Sequence, residues 1–252
     1  MAPVTHLEID IRQKSYPQVG RAPAHLALEG LKMTLQGSEF VCVLGPSGCG
    51  KTTLLNLIAG LDEAYEGRIA LPLAPGGRRP VMGYVFQNPR LLPWRTVVEN
   101  IELVLSPEQI RSGLVDELLA ATGLEAFRHT YPERLSLGLE RRVALVRAFA
   151  VQPDVLLMDE PFVSLDEPTA QRLRLLLLQI WKDRPTTVVF VTHNMREAIQ
   201  LADRIVLLSP APGRVLADIR VGIARGDRDD TADIEAFRDR LIRENPALYR
   251  EL

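Results

Sequence analysis

The sequence has almost no cysteine, no excess of charge of either sign and no long apolar run, and each shortage narrows what the chain can be. Cys42 and Cys49 are the only cysteines in 252 residues. They lie too close in sequence to staple a domain and read as small buried residues of a reduced, cytosolic protein, with no second catalytic group implied beside Cys49. Charged residues make up 25% of the chain and the net charge is −2. That balance argues against nucleic acid as the main partner. The longest apolar runs, 155–158 and 175–178, fall far short of the ~20 residues that a membrane-spanning helix needs. No basic-then-apolar stretch of the secretory kind opens the chain. The expectation is a chain soluble by itself, so that any work at a membrane would require other chains to supply the spanning part. No internal repeat is visible. With 46% apolar residues, the length suits one large domain, or one domain with a subdomain.

What is present converges on one stretch. The apolar run Phe40-Val41-Cys42-Val43-Leu44 feeds directly into Gly45-Pro46-Ser47-Gly48-Cys49-Gly50-Lys51-Thr52. This is a strand, a glycine-rich turn and a helix start, in the pattern Gly-x-x-x-x-Gly-Lys-[Ser/Thr] of phosphate-binding loops. Glycines let successive backbone N–H groups turn inward as an anion nest. The helix that begins near Lys51 aims its unpaired N–H groups and positive dipole end at the same place. Lys51 is placed to reach the β- and γ-phosphates and the Thr52 hydroxyl to ligate Mg²⁺, with Thr53 next along the same stretch. Residues 52–59 read as the helix, with Gly60 suited to its C-terminal cap.

Around this motif the periodicities alternate. Residues 7–11 and 29–35 suggest antiparallel strands, 68–71 and 81–86 further strands, and 15–23 and 72–80 turns. From about 88 to 150 the pattern is helical. Thr96 to Glu99 and Ser106 to Gln109 are capping boxes, the second helix running to Gly123, and 139–150 forms a third helix stopped by Pro153. Strand and helix then alternate: 155–158 a buried strand, Asp166 capping a helix to about Trp181, 187–191 a strand, Asn194 opening a helix, and 205–208 a strand. Buried strands alternating with helices imply a parallel wound sheet, with ligands at the carboxyl ends of its strands. The tail after Ile223 is charged, with one helix at about 234–243.

The strand 155–158 runs into Asp159-Glu160. Asp159 is placed to hold Mg²⁺, through water, and Glu160 to polarise the water that attacks the γ-phosphate. Phosphoryl transfer needs a nest, a Lys, a metal and a group that positions water, and these residues supply all four.

Taken in order, these stretches resemble the ATP-binding subunit of an ABC transporter over nearly the whole chain. Gln87 in Val85-Phe86-Gln87 resembles that family's Q-loop, which touches Mg²⁺ and the attacking water. Ser164-Leu165-Asp166 resembles its D-loop, and His193 its switch histidine, which contacts the γ-phosphate. Tyr16 sits where the family places an aromatic that stacks on adenine. The resemblance implies an α/β fold: a P-loop NTPase (RecA-like) core, with an N-terminal antiparallel β subdomain and an inserted α-helical subdomain. In one ABC ATPase domain spanning 1–252, residues 1–87 and 151–223 would form the core and β subdomain. Residues 88–150 would form the helical subdomain and 224–252 a C-terminal tail.

One motif departs from the family. Where the family carries Leu-Ser-Gly-Gly-Gln, this chain reads Leu135-Ser136-Leu137-Gly138-Leu139. In the family this signature binds the γ-phosphate held by the opposite subunit, so that two ATP molecules are sandwiched in a head-to-tail homodimer. Ser136 still offers a hydroxyl, the helix start around Gly138 still offers N–H groups and a dipole, and Leu139 removes an amide side chain. Leu137 restricts the close approach and unusual φ that glycine allows. The stretch from Gln87 to Val97, with Trp94 in it, resembles the branch serving nitrate, sulfonate and taurine importers. In the family this part lies near the membrane subunits; Trp94 reads equally as an anchor there or as packing inside the helical subdomain.

The resemblance therefore implies a peripheral ATPase on the cytoplasmic face of the inner (plasma) membrane, using ATP and Mg²⁺. It would dimerise with a second copy, drive separate transmembrane permease subunits and serve a periplasmic solute-binding protein indirectly. Alternatives are another cargo, an exporter, or a regulatory ATP-binding module that hydrolyses poorly because of Leu137 and Leu139. A DNA-repair ATPase of the same superfamily would need coiled-coil or DNA-binding insertions for which this chain has no room.

Overall fold

A computed structural model describes residues 6–244 except 19, 21, 22, 72, 75, 76, 229 and 230; residues 245–252 of the expected tail lie outside the described residues. The chain divides into two compact units, residues 1–79 with 187–252 and residues 80–186. The segment 88–150 expected as a helical subdomain falls inside the second.

The first unit opens with β1 (His6–Tyr16) and β2 (His25–Gln36), paired antiparallel, and β4 (Glu66–Ala70) pairs antiparallel on the other side of β1. Leu7, Ile9 and Ile11 alternate into the core, as a half-buried strand requires. Tyr16 closes β1 as strand, not as part of a turn, because its backbone pairs with His25. The fully buried β3 (Phe40–Leu44) pairs in parallel with β7 (Thr187–Thr192) and with β8 (Arg204–Leu208). The strand β9 (Val215–Arg220), not anticipated from the pattern, runs antiparallel to β8. Helix α1 (Lys51–Ile58) follows β3 directly, and Gly60 beyond it takes the left-handed φ of 67° that its place after the helix predicted. The helix α7 (Met195–Leu201) follows β7, and α8 (Thr231–Glu244) packs beside it.

The second unit pairs β5 (Met82–Val85) in parallel with β6 (Val155–Asp159). Between them run α2 (Val97–Glu102), α3 (Pro107–Arg111), α4 (Leu114–Ala121) and α5 (Leu137–Ala150). Both expected capping boxes form, at Thr96 with Glu99 and at Ser106 with Gln109. The helix expected to reach Gly123 is instead two: Gly113 adopts φ 82° and breaks it, since glycine enters the left-handed region without steric cost. Val97, Ile101, Leu118, Leu119, Val143 and Val146 form one apolar core among these helices. The helix α6 (Glu167–Asp183) closes the unit, with Asp166 as its N-cap. Among the described residues no helix is long and apolar enough to cross a membrane.

Candidate functional site

In the first unit the phosphate loop is built on β3. Leu44 is the register partner of Thr192 on β7, so Gly45 and His193 leave the carboxyl ends of two adjacent parallel strands. The structure thus brings the loop and His193, the expected switch histidine, to the same carboxyl end of the sheet, where wound sheets hold ligands. Within the loop, Ser47 and Gly48 are exposed and Cys49 is buried. Gly50 has φ 99°, and a Cβ there would stand 2.6 Å from Leu28 Cδ2 and 2.9 Å from the Ala27 carbonyl. Only glycine fits that position.

Lys51, the first residue of α1, is 5% exposed. Its Nζ donates to the carbonyls of Gly45 at 2.7 Å and Pro46 at 2.8 Å, which curls the loop around the ammonium. Thr52 beside it is exposed. The Tyr16 hydroxyl lies 3.3 Å from Thr53 Oγ1, bringing the expected adenine platform to the first turn of the same helix. His193 is exposed, at a turn fixed by its neighbours. The Thr192 hydroxyl donates to the Glu197 carboxylate at 2.8 Å and accepts from the Asn194 N–H at 3.0 Å. Asn194 caps α7 by accepting from the N–H groups of Arg196 and Glu197. Burial, followed by the Glu197 carboxylate, pushes the Cys42 thiol well up, with Lys51 opposing. Cys42 is thereby an inert core residue, as expected.

In the second unit Val85 is the register partner of Met158, so Gln87 and the Asp159-Glu160 pair again leave adjacent strand ends. Gln87 is exposed, Asp159 buried and Glu160 half-buried. Burial and then the Asp159 carboxylate raise the Tyr84 hydroxyl far above its ordinary value. Glu160 holds φ 42°, a conformation that costs a non-glycine residue about 1 kcal/mol or more and that clusters at functional sites.

Arg141 of α5, to which the sequence pattern assigns no role, spans both loops. It is 7% exposed and donates to the backbone carbonyls of Gln87 at 2.9 Å, Pro161 at 2.7 Å and Val163 at 2.8 Å. Its position three, four and seven residues before the buried Ala144, Leu145 and Ala148 was the available signal: an arginine on an apolar helical stripe.

The signature stretch opens α5. Ser136 is its N-cap, exposed, accepting from the Leu139 N–H. Leu137 is 40% exposed and is the first helical residue, with none of the positive φ that glycine would favour. Leu139 packs against the apolar core of the helices. A Cβ at Gly138 would stand 2.7 Å from Thr169 Cγ2, so the bare backbone there permits α5 to approach α6. Asp166 accepts from the Thr169 N–H. The Thr169 hydroxyl and then its N–H hold the Asp166 carboxyl below its ordinary value.

Trp94 is 69% exposed, so it is not packed inside the helical subdomain. The fully buried Asn100 ties the turn before α2, its Oδ1 accepting from the Leu92 N–H and its Nδ2 donating to the carbonyls of Leu92, Arg95 and Thr96. Nearby, an open groove of about 380 Å³ is lined by Tyr84, Phe86, Arg90, Leu103, Val104 and Arg147 among others. Phe86 stacks on Tyr84 with centroids 4.1 Å apart, and Arg90 lies over the Phe86 ring at 4.1 Å.

The side chains expected to hold a metal are hard oxygen donors: the Thr52 hydroxyl in the first unit, and the Gln87 amide oxygen and the Asp159 carboxylate in the second. That chemistry fits Mg²⁺.

The sequence profile of the ABC transporter family matches residues 28–163. The chain is 38% identical over 242 residues to an aliphatic sulfonates import ATP-binding protein of Bacillus subtilis, covering 94% of this chain and 92% of that one. It is 42% identical over 224 residues to an uncharacterized ABC transporter ATP-binding protein of Methanocaldococcus jannaschii, covering 86% and 83%. Among solved structures it is similar to a dimeric bacterial ABC transporter cassette, with TM-score 0.72 and 31% identity over 86% of this chain and 100% of that one. A post-hydrolysis dimer of such a cassette bound to ADP and Pi matches with TM-score 0.70 and 30% identity, at the same coverage. The fold is that of a P-loop NTPase with an N-terminal antiparallel sheet and helical additions.

Proposed function

Because the chain belongs to the ABC transporter family of ATP-binding cassettes, we propose that it is the ATPase subunit of an importer, taking up a small solute of the nitrate, sulfonate or taurine kind. That it is a transport ATPase follows from the family. The observation that carries the reading is the register of β3 with β7, which sets the curled phosphate loop around Lys51 beside His193 at one sheet edge. The import direction draws its support from relatives named for aliphatic sulfonate import.

In this reading the loop N–H groups and Lys51 hold the phosphates, and Tyr16 carries the adenine. Glu160 takes up the attacking water, and Gln87 and His193 orient it against the γ-phosphate. Thr52, Gln87 and Asp159 would hold Mg²⁺, which neutralises charge on the phosphate oxygens when bound. Ser136 and Gly138 of one copy face the phosphates held by the other, so two nucleotides close a head-to-tail dimer. Permease subunits dock on the second unit, around the exposed Trp94 and the groove with its aromatic floor and Arg90 and Arg147 at its sides. Those features suit a partner helix with one apolar face and an acidic group. The cassette then sits peripherally on the cytoplasmic face of the membrane, and a periplasmic solute-binding protein acts through the permease. A second reading, a module that binds ATP but turns it over slowly, is favoured by one observation, the exposed Leu137 in the signature.

Two variants test the main reading. Lys51→Ala should lose ATP affinity. Glu160→Gln should bind ATP, release no phosphate and elute as a dimer only with ATP and Mg²⁺, since a ligand shared by the dimer stabilises it by linkage. Full phosphate release by Glu160→Gln, or a dimer indifferent to nucleotide, would overturn it.

A further inference from the structure

Lys14, on β1, is only 2% exposed, and none of the roles above uses it. Burying an ammonium is costly unless it is fully partnered, and an apolar side chain of the same length would often serve packing as well or better. Its partners are specific. Nζ lies 2.8 Å from Asp62 Oδ1 and 2.7 Å from Oδ2, and it donates to the Ala64 carbonyl at 2.9 Å. It also sits 4.4 Å from the centroid of the Tyr16 ring. An irregularity in the pairing of β1 near Gln13 turns Lys14 inward, where strict alternation after Ile9 and Ile11 would have turned it out.

Tyr16 is thereby tied to both ends of α1. Its hydroxyl meets Thr53 in the first turn. Its ring is held through Lys14 to Asp62 and Ala64, in the segment that follows the last turn, and its side chain also hydrogen-bonds Asp62 directly. The ring remains 36% exposed, as a platform for a flat ligand must be. A cation against one face of an aromatic ring is attracted by the ring's electrons and draws on them. The other face is then better matched to an electron-rich ring stacked upon it.

We propose that Lys14 is a positioning residue for the nucleobase: it sets the height and tilt of Tyr16 over α1 and polarises the ring from beneath, favouring the purine of ATP. The inference rests on the reading of Tyr16 as the adenine platform. The phosphate end of the nucleotide, held by the loop, gains nothing from Lys14, so the residue should separate base recognition from phosphate binding.

The test compares the affinity of the full-length protein for ATP with that for inorganic tripolyphosphate, both with Mg²⁺. Lys14→Met, similar in length and uncharged, should weaken ATP about tenfold and leave tripolyphosphate unchanged. Equal losses for both ligands, the mark of a structural strut alone, would overturn the proposal, as would no loss for either. Should Lys14→Met not fold, Asp62→Asn keeps the ammonium but loosens its anchor and must lower the same ratio; an unchanged ratio there also overturns the proposal. Tyr16→Ala separates the two layers. A ratio that Tyr16→Ala leaves unchanged removes the platform reading itself, whereas a ratio that falls in Tyr16→Ala but not in Lys14→Met removes the role of Lys14 alone.

Discussion

The guanidinium of Arg141 donates to the backbone carbonyl of Gln87 at 2.9 Å while the same group holds the turn after Glu160 through Pro161 and Val163. The helix capped by Ser136 is thus fastened to both loops of its unit in which catalytic residues are proposed. Arg141→Met should lower kcat about a hundredfold, the scale of an ångström's displacement of reacting groups, with little change in ATP affinity, because the phosphate loop is built on β3 of the other unit. Steady-state ATPase kinetics beside equilibrium ATP binding check this. A loss of binding equal to the loss of kcat would make Arg141 a general stabiliser.

Leu137 occupies an ordinary helical position with an exposed side chain. Its effect should therefore be steric, against a partner copy, and not a matter of backbone conformation. Leu137→Gly should raise ATPase activity several-fold in the assembled transporter while slightly destabilising the isolated chain, since glycine near a helix start costs up to about 1 kcal/mol. Leu139→Gln, which puts an amide against the apolar core, should cost more stability. Phosphate release and thermal melts on the two single variants distinguish these effects.

Trp94→Ala should change stability by less than about 0.5 kcal/mol, as for most exposed positions, and leave ATP binding intact. It should nonetheless weaken co-purification with the permease subunits, because a large exposed aromatic is a typical interface anchor. Asn100→Ala is the contrasting variant. It strips the buried amide that holds the Trp94 turn and should destabilise the unit by about 1–3 kcal/mol. Co-purification unchanged in Trp94→Ala would move the docking surface to the groove beside it.

The Asp62 carboxyl is held below its ordinary value, first by its hydrogen bond to the Lys14 ammonium, against a smaller cost of burial. A carboxyl depressed in the folded state stabilises the fold above its unfolded-state pKa, and that stability is lost as the pH falls through the folded value. Asp62→Asn should therefore be less stable than the parent at neutral pH, and the gap should close below about pH 4. Urea unfolding midpoints of both proteins across that range check it; a gap that persists in acid would assign the loss to packing.

What the sequence by itself determined depends on neighbours along the chain. Gly45 to Thr52 announced a phosphate loop because strand, glycines and helix start are consecutive. Thr96, Ser106, Asp166 and Asn194 announced helix starts because a cap bonds within its own first turn. Asp159 and Glu160 were legible as acids at the exit of an apolar strand. The break at Gly113 was missed because a glycine within a helical pattern is as readily tolerated as it is a stop, and β9 because the apolar Leu216 at an exposed position blurs its period-two pattern. Only the tertiary structure decided the burial of Lys14, which an irregularity in strand pairing turns inward, and the exposure of Trp94. It alone brought Arg141 onto carbonyls distant in sequence and held Glu160 in a left-handed backbone. These are long-range matters: a guanidinium or an ammonium can be buried only where acceptors from separate segments converge, and no local pattern records that convergence.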